Sequence, residues 1–522
     1  MAVSLPMSKA FMSIVTGLFM VNWLIEGQLA VKLQRLKERK SVLLIISVFF
    51  VYLLGLFWTD NILSGLKDVK IQLPLLIIPI VIGTSAELNY SQVKKIIYFF
   101  SAAVVLASFC SIWVLMGLSA KTIQNPRDMS LFISHIRFAL LINISIFSMG
   151  WYLIRSEQKR IAEKALLIIA MIWLSLFLVI LKSVTGWIVF MTILTVVVIV
   201  GILQIKKLVW RLALLGILLS IFLLPPAYIL FVIHQFYDVE PVPENIQQIR
   251  TPKGNPYTHD FNNKQLENGH YTFYFINENE LREVWNKRST ISYDSSSVCG
   301  FDRYVLFRYL TSKGLRKDAE GLESLTATDI RNIEKGLTNY RFVNPLSFYN
   351  RIYQIVWEVD IYRKGGNPSG HSVTQRIEYY KMAWKIIEEN FWMGTGTGGY
   401  VKAYQKKYDQ NKFFQEQQFR QRSHNMFLSY WIDFGLIGLI YVCFALFAPV
   451  FIERKTKSFL LMIFLLIVLL SFMNEDSLNN HDAISFFAYL YPLFLYSKYE
   501  NPIASNQPEA DRLHGKGMVF EN

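Results

Sequence analysis

Cysteine and charge are both scarce in this 522-residue chain. Its three cysteines exclude a disulfide-stapled module: Cys110 and Cys443 lie in apolar runs, and Cys299 stands alone in a polar one. Only 18% of residues are charged, against about 25% in soluble domains, and 53% are hydrophobic. That balance excludes a disordered chain or a collagen-like array and leans away from a soluble protein. The cluster Gly394, Gly396, Gly398, Gly399 follows a helical pattern, with no hydrophobic strand before it and no Lys-Ser/Thr after it, so it is not a nucleotide phosphate loop. Ala10–Ala30 has before it only the single basic residue Lys9, and after it no convincing small-residue cleavage site, so it reads as a span rather than a cleaved leader.

What is abundant is apolar sequence, gathered in blocks. Candidate spans lie at about 10–31, 41–58, 70–83, 94–118, 130–154, 164–182, 184–203, 211–235, 426–452, 458–473 and 483–498. Most have the roughly 20 residues needed to cross the hydrocarbon core. The third is short and holds Pro74 and Pro79, and Pro225 with Pro226 is expected to kink the eighth. Eleven such blocks predict an all-α polytopic membrane protein.

The net charge of +14 is then an orientation signal rather than a sign of nucleic acid. Counting from an outside N-terminus, the inside loops 32–40, 84–95, 155–164, 204–211 and 453–457 carry 17 Lys and Arg, and the opposite short loops far fewer. The segment 474–482 has none, and three acids. This puts the polar segment 236–425 outside and the C-terminus in the cytoplasm. The expected organisation is a transmembrane region 1–235 of about eight helices, an outer, mostly helical domain 236–425, a second transmembrane region 426–498 of three helices, and a polar, disordered tail 499–522. Within the outer domain, 238–270 reads as irregular, 271–288 as an extended piece and a helix, and Asp302–Ser312, Thr326–Gly336 and Pro345–Arg363 as helices. A Gly/Pro/Ser break at 365–370 then leads into a helix over 372–390.

Three segments carry a family resemblance. The first is Leu56-Phe57-Trp58-Thr59-Asp60-Asn61. The second runs from Gln375-Arg376-Ile377-Glu378 through Trp384 to Asn390-Phe391-Trp392-Met393-Gly394-Thr395-Gly396-Thr397-Gly398-Gly399-Tyr400. The third is His424-Asn425-Met426-Phe427-Leu428, continuing to Asp433-Phe434-Gly435-Leu436-Ile437-Gly438. With the span pattern and the one large late loop, they resemble the O-antigen ligase and polymerase superfamily of bacterial envelope glycan transferases, strongly over 370–440 and loosely over 40–498. The family's Ser-Arg-Thr-Gly type turn stands here as Lys182-Ser183-Val184-Thr185-Gly186, with Lys182 in the place of an arginine.

The resemblance implies an inner-membrane enzyme with a periplasmic loop and no cofactor. It would be a metal-independent, inverting glycosyltransferase that moves a glycan from undecaprenyl diphosphate to an acceptor hydroxyl. Ligation to lipid A–core is favoured. The alternatives are polymerisation of lipid-linked repeat units, transfer to a protein hydroxyl, or a polysaccharide flippase. Paired internal repeats with broken helices would argue for the flippase, and none stands out. His424 would be the catalytic base or orienting group, a task suited to an imidazole, which titrates near neutral pH; a loop-end histidine bonded to a carbonyl is the plain alternative. Arg376 would hold the leaving diphosphate, which a guanidinium fork matches; the plain alternative is a solvated surface charge. Arg420, Arg422, Arg137 and Lys182 would add positive charge to the diphosphate site.

His135 and Arg137 are suspects because ionisable groups at membrane depth are costly, though snorkelling would also explain them. Asn425, His135, Asp60, Asn61, Glu475, Asp476 and His481 would meet the acceptor or serve as structural polar groups. The acids at 474–482 show no strong metal signature.

Overall fold

A computed structural model describes residues 1–118, 129–155, 161–295, 301–344, 347–411, 413–414 and 416–499, together with the backbone alone at 372. Cys299, most of the 119–129 loop and the tail 500–522 lie outside the described residues. Regular structure is almost wholly helical. In chain order the first helices are α1 (Lys9–Ile25), α2 (Leu29–Glu38), α3 (Lys40–Leu54), α4 (Ile62–Thr84), α5 (Tyr90–Leu115), α6 (His135–Arg155), α7 (Ile161–Ile180), α8 (Val184–Leu203) and α9 (Leu208–Tyr237). A two-residue pair, β1 (Leu266–Glu267) and β2 (His270–Tyr271), precedes α10 (Glu278–Arg288), α11 (Arg303–Ser312), α12 (Ala319–Glu323), α13 (Ala327–Glu334), α14 (Phe348–Arg363) and α15 (Ser372–Glu389). Then follow α16 (Tyr400–Asp409), α17 (Met426–Ile452), α18 (Phe459–Asn474) and α19 (His481–Tyr496).

Among the described residues, seven helices are long and apolar enough to cross a membrane: α3 with the turn after it, α5, α6, α7, α8, α9 and α17. The number rises to eight if the bent pair α1 and α2 is one span. The other three blocks are helical too. However, α4 carries Lys67, Asp68 and Lys70, and α18 and α19 have only 16 residues each.

Three expectations about single spans change. The block 10–31 is not one helix but a pair bent by 111°. Gly27 and Gln28 at the corner take positive φ values of 64° and 53°, which end the first helix. The third span starts eight residues earlier than its apolar run, because Asn61 caps α4 by accepting from the Ser64 amide at 3.2 Å. Both of its prolines then lie buried inside the helix. The span 426–452 is interrupted at Gly435, whose backbone (φ 67°, ψ −176°) is not helical. Helix α9, by contrast, runs unbroken through Pro225 and Pro226.

The chain divides into two compact units, Ile202–Glu378 and the remainder. This division follows packing rather than polarity, so residues 379–425 pack with the apolar helices of the larger unit. In that unit α4 lies against α3 and α19, α3 against α17, and α6 against α5, α7 and α18. The smaller unit has one core around Trp285, Phe301 and Tyr309, and another where Val232 and Phe236 of α9 meet Tyr353 and Trp357 of α14.

Arg308 of α11 ties the smaller unit together. Its Nε donates to Glu267 Oε2 at 2.8 Å, both side chains being 7% exposed or less, and Asn339 Nδ2 donates to the other carboxylate oxygen at 2.6 Å. Removing one partner of such a pair strands a buried charge, at a cost of about 3–5 kcal/mol. Arg308→Ala is therefore expected to accelerate hydrogen exchange across α11 and β1 while leaving α5–α7 unchanged.

Candidate active site

The site is built on the interruption in α17. A non-helical Gly435 frees the carbonyls of Ile432 and Asp433 from the helix ladder. The glycine-rich segment takes them up: Thr395 N donates to Ile432 O at 2.7 Å and Gly396 N to Asp433 O at 2.9 Å. On the far side of the break, Leu436 N donates to Phe391 O at 2.8 Å. The same segment reaches α3 and the turn after it, where Thr397 N meets Gly55 O at 3.0 Å and Thr397 Oγ1 donates to Tyr52 O at 2.7 Å. Gly398 has φ +82°, and a Cβ on it would fall 2.2 Å from the Gly65 nitrogen of α4. The glycines thus allow backbone to lie directly on backbone.

His424 precedes the short half-helix that this break cuts off. Asn425 caps the half-helix, its Oδ1 accepting from Phe427 N at 3.0 Å and Leu428 N at 3.1 Å. The approaching chain is fastened at nearly every residue. Tyr379 Oη donates to Phe419 O at 2.9 Å, Arg420 pairs with Asp409 at 2.6 Å, Tyr408 Oη donates to Gln421 O, and Ser423 N donates to Tyr404 Oη at 3.2 Å. Within this braced stretch His424 is half-buried and holds a left-handed backbone (φ 51°), uncommon for a non-glycine residue. Its ring lies 6.1 Å from that of Tyr379. Among the described residues the imidazole has no hydrogen-bond partner. A strained residue with both ring nitrogens uncommitted is a group available to a substrate.

Two residues before it, Arg422 is enclosed. Its guanidinium lies 3.6 Å from the centre of the Tyr400 ring, and Nη2 is 3.4 Å from Asp433 Oδ2. Asp476, oriented by the Ser429 hydroxyl at 2.6 Å, and Asp68 of α4 add their fields. Burial works against the arginine's charge, but the Asp433 and Asp476 carboxylates outweigh it and keep the guanidinium protonated. Burial, with the acids, pushes the Tyr400 phenol up to about 12. Arg422 Nε and Asp433 Oδ1 are buried without a partner among the described residues. No group of three or more His, Cys, Asp or Glu side chains among those residues is arranged to hold a metal ion.

Residues 341–443 match the family model described as O-antigen ligase. Across this stretch the chain is similar to the O-antigen ligase family. The matched stretch runs from before α14 to Cys443, and so takes in Arg376, the glycine turn, the His424 loop and the α17 break. No curated protein matches the chain. The O-antigen ligase match, with the apolar helices, identifies a multi-pass membrane protein of a glycosyltransferase-like family.

The other site residues expected from sequence each have their own setting. Arg137 binds Asp482 through Nη1, 2.8 Å from both carboxylate oxygens. Arg420 and Arg422 are paired as described, so three of the four arginines already face a carboxylate. Arg376, exposed in the first turns of α15 within the smaller unit, has no partner among the described residues. Lys182 is exposed on a left-handed residue between α7 and α8. Asn61 and Asn425 are helix caps, and the Asp60 carbonyl accepts from Lys402 Nζ at 2.5 Å. His135 opens α6, Glu475 ends α18, and His481 lies 3.3 Å from Ser13 Oγ. Sequence reasoning overlooked Asp68 and Tyr404 and gave Tyr400 and Asp433 no role; an acid inside an apolar run was the available signal for Asp433.

At Gly435 an added Cβ would sit 2.1 Å from Trp392 O on a left-handed backbone. Strain of about 1–2 kcal/mol and overpacking of about 1–3 kcal/mol then add. Gly435→Ala is expected to lower the thermal midpoint of the detergent-solubilised protein by several degrees. Gly201→Ala, with nothing within 4 Å of the new Cβ, should leave it unchanged or slightly raised.

Proposed function

We propose that the protein transfers a glycan from undecaprenyl diphosphate to an acceptor hydroxyl at the periplasmic face of the bacterial inner membrane, with lipid A–core as the acceptor. The observation that carries this reading is His424, an imidazole with no hydrogen-bond partner among the described residues, on a braced loop inside the segment that matches O-antigen ligases. The acceptor oxygen attacks the anomeric carbon as His424 accepts its proton. The bond from that carbon to the diphosphate oxygen breaks, and undecaprenyl diphosphate leaves with the electron pair. In-line displacement inverts the anomeric configuration. The broken glycosyl–diphosphate bond supplies the driving force, so no nucleotide takes part.

Arg376 is the cation we assign to the diphosphate. It is exposed and unpaired among the described residues, whereas Arg137, Arg420 and Arg422 each engage an aspartate. A two-pronged guanidinium would offset the charge that grows on the leaving group. The orientation that puts residues 236–425 outside supports periplasmic chemistry, and the basic inside loops support a cytoplasmic C-terminus.

The test is reconstitution of the purified protein with an undecaprenyl-diphosphate oligosaccharide and, separately, lipid A–core, a second lipid-linked glycan and a serine-containing peptide. Lipid A–core conjugates are expected. Longer lipid-linked chains would make it a polymerase, and glycopeptide a protein glycosyltransferase. Donor translocation with no transfer to any acceptor would overturn the enzyme reading. His424→Asn, chosen because asparagine tolerates a left-handed backbone, is expected to cut turnover by about 100-fold or more with membrane insertion intact. For Arg376→Ala the expectation is weaker donor binding or lost turnover, and unchanged values for both would reject its role.

A further inference from the structure

We propose that Arg422 is a positioning residue for His424, and that the Arg422–Asp433 pair, seated on the Tyr400 ring, fixes the His424 loop to the break in α17. This rests on the reading of His424 as the group that handles the acceptor hydroxyl.

Position in the chain makes Arg422 unusual. It lies at the entrance to the half-helix Met426–Phe434, while Asp433 lies at its exit. The ion pair of 3.4 Å therefore closes a loop over the whole half-helix, with His424 inside it. Asp433 is itself held by its backbone, since its carbonyl is one that Gly396 N takes at 2.9 Å. Tyr400 comes directly after the glycine turn and opens α16. One guanidinium thus joins the turn that answers the break, the end of the half-helix, and the strained residue two positions on.

A diphosphate ligand would need the opposite surroundings. The Tyr400 ring covers a face of the guanidinium at 3.6 Å, and Nε is buried. Asp433 already faces the guanidinium at 3.4 Å, so a second anion brought there would have to compete with that carboxylate. Arg422 is already committed within the protein, and the exposed Arg376 has no partner among the described residues.

The test uses the full-length protein in proteoliposomes with the undecaprenyl-diphosphate oligosaccharide and lipid A–core, and compares wild type, Asp433→Asn, Arg422→Lys and Arg376→Ala. Hydrogen exchange over 419–425 is followed without substrate. Asp433→Asn keeps the side-chain shape and removes the ion pair. It is expected to lower kcat by about 10- to 100-fold, to leave the donor KM within about twofold, and to speed exchange at 419–425 while α18 and α19 stay protected. Arg422→Lys, which keeps the charge but not the planar contact with Tyr400, is expected to recover part of that kcat.

The inference is overturned if Asp433→Asn leaves either kcat or the exchange of 419–425 unchanged. It is also overturned if Arg422→Lys raises the donor KM about tenfold at constant kcat, the mark of lost substrate binding. A His424→Asn protein that still turns over would instead remove the reading of the function. The exchange measurement needs no substrate and would then decide on the brace by itself.

Discussion

A membrane helix that stops satisfying its own backbone must be completed by other protein, because lipid offers no hydrogen-bond partner. In α17 the interruption falls at Gly435, and the glycine-rich segment after α15 supplies the missing donors and acceptor at Ile432, Asp433 and Leu436. Much of the larger unit's geometry depends on this repair. The turn fits only where the end of α3 and α4 bring glycines of their own, Gly55 just after α3 and Gly65 within α4, against Thr397. The turn, α3, α4 and α17 are therefore mutually dependent, and His424 is set at the start of the half-helix they enclose.

The charges follow a related logic. In a chain with so few ionisable residues, each cation within an apolar unit needs a partner. Arg137 has Asp482, Arg420 has Asp409 and Arg422 has Asp433. Among the described residues, Arg376 and the His424 imidazole have no such partner. Paired arginines hold elements in place; unpaired ones keep their hydrogen-bonding capacity for a ligand.

Much of this was legible in sequence, unevenly. Apolar blocks found the helices because length and hydropathy are local properties, whereas Asn61 and Asn425, expected as acceptor or structural polar groups, turn out to cap helices. The bend at Gly27 and Gln28 and the break at Gly435 were not legible. Glycine within an apolar run leaves hydropathy unchanged, and its consequence depends on segments far away in sequence. For the same reason Arg420 and Arg422 looked like free positive charge: Asp409 and Asp433 sit 11 residues away from each, along turns that only the fold closes. The glycine cluster read as a tight turn, and its role in completing another helix's backbone emerged from the hydrogen bonds alone.

The chemistry assigned to His424 has a stereochemical consequence that is independent of any substitution. A single displacement, with the imidazole taking the proton from the attacking hydroxyl, inverts the anomeric carbon. Nuclear magnetic resonance of the new glycosidic linkage, made in vitro from a donor of known anomeric configuration, reads this directly. Inversion is the predicted result; retention would contradict a direct attack assisted by His424.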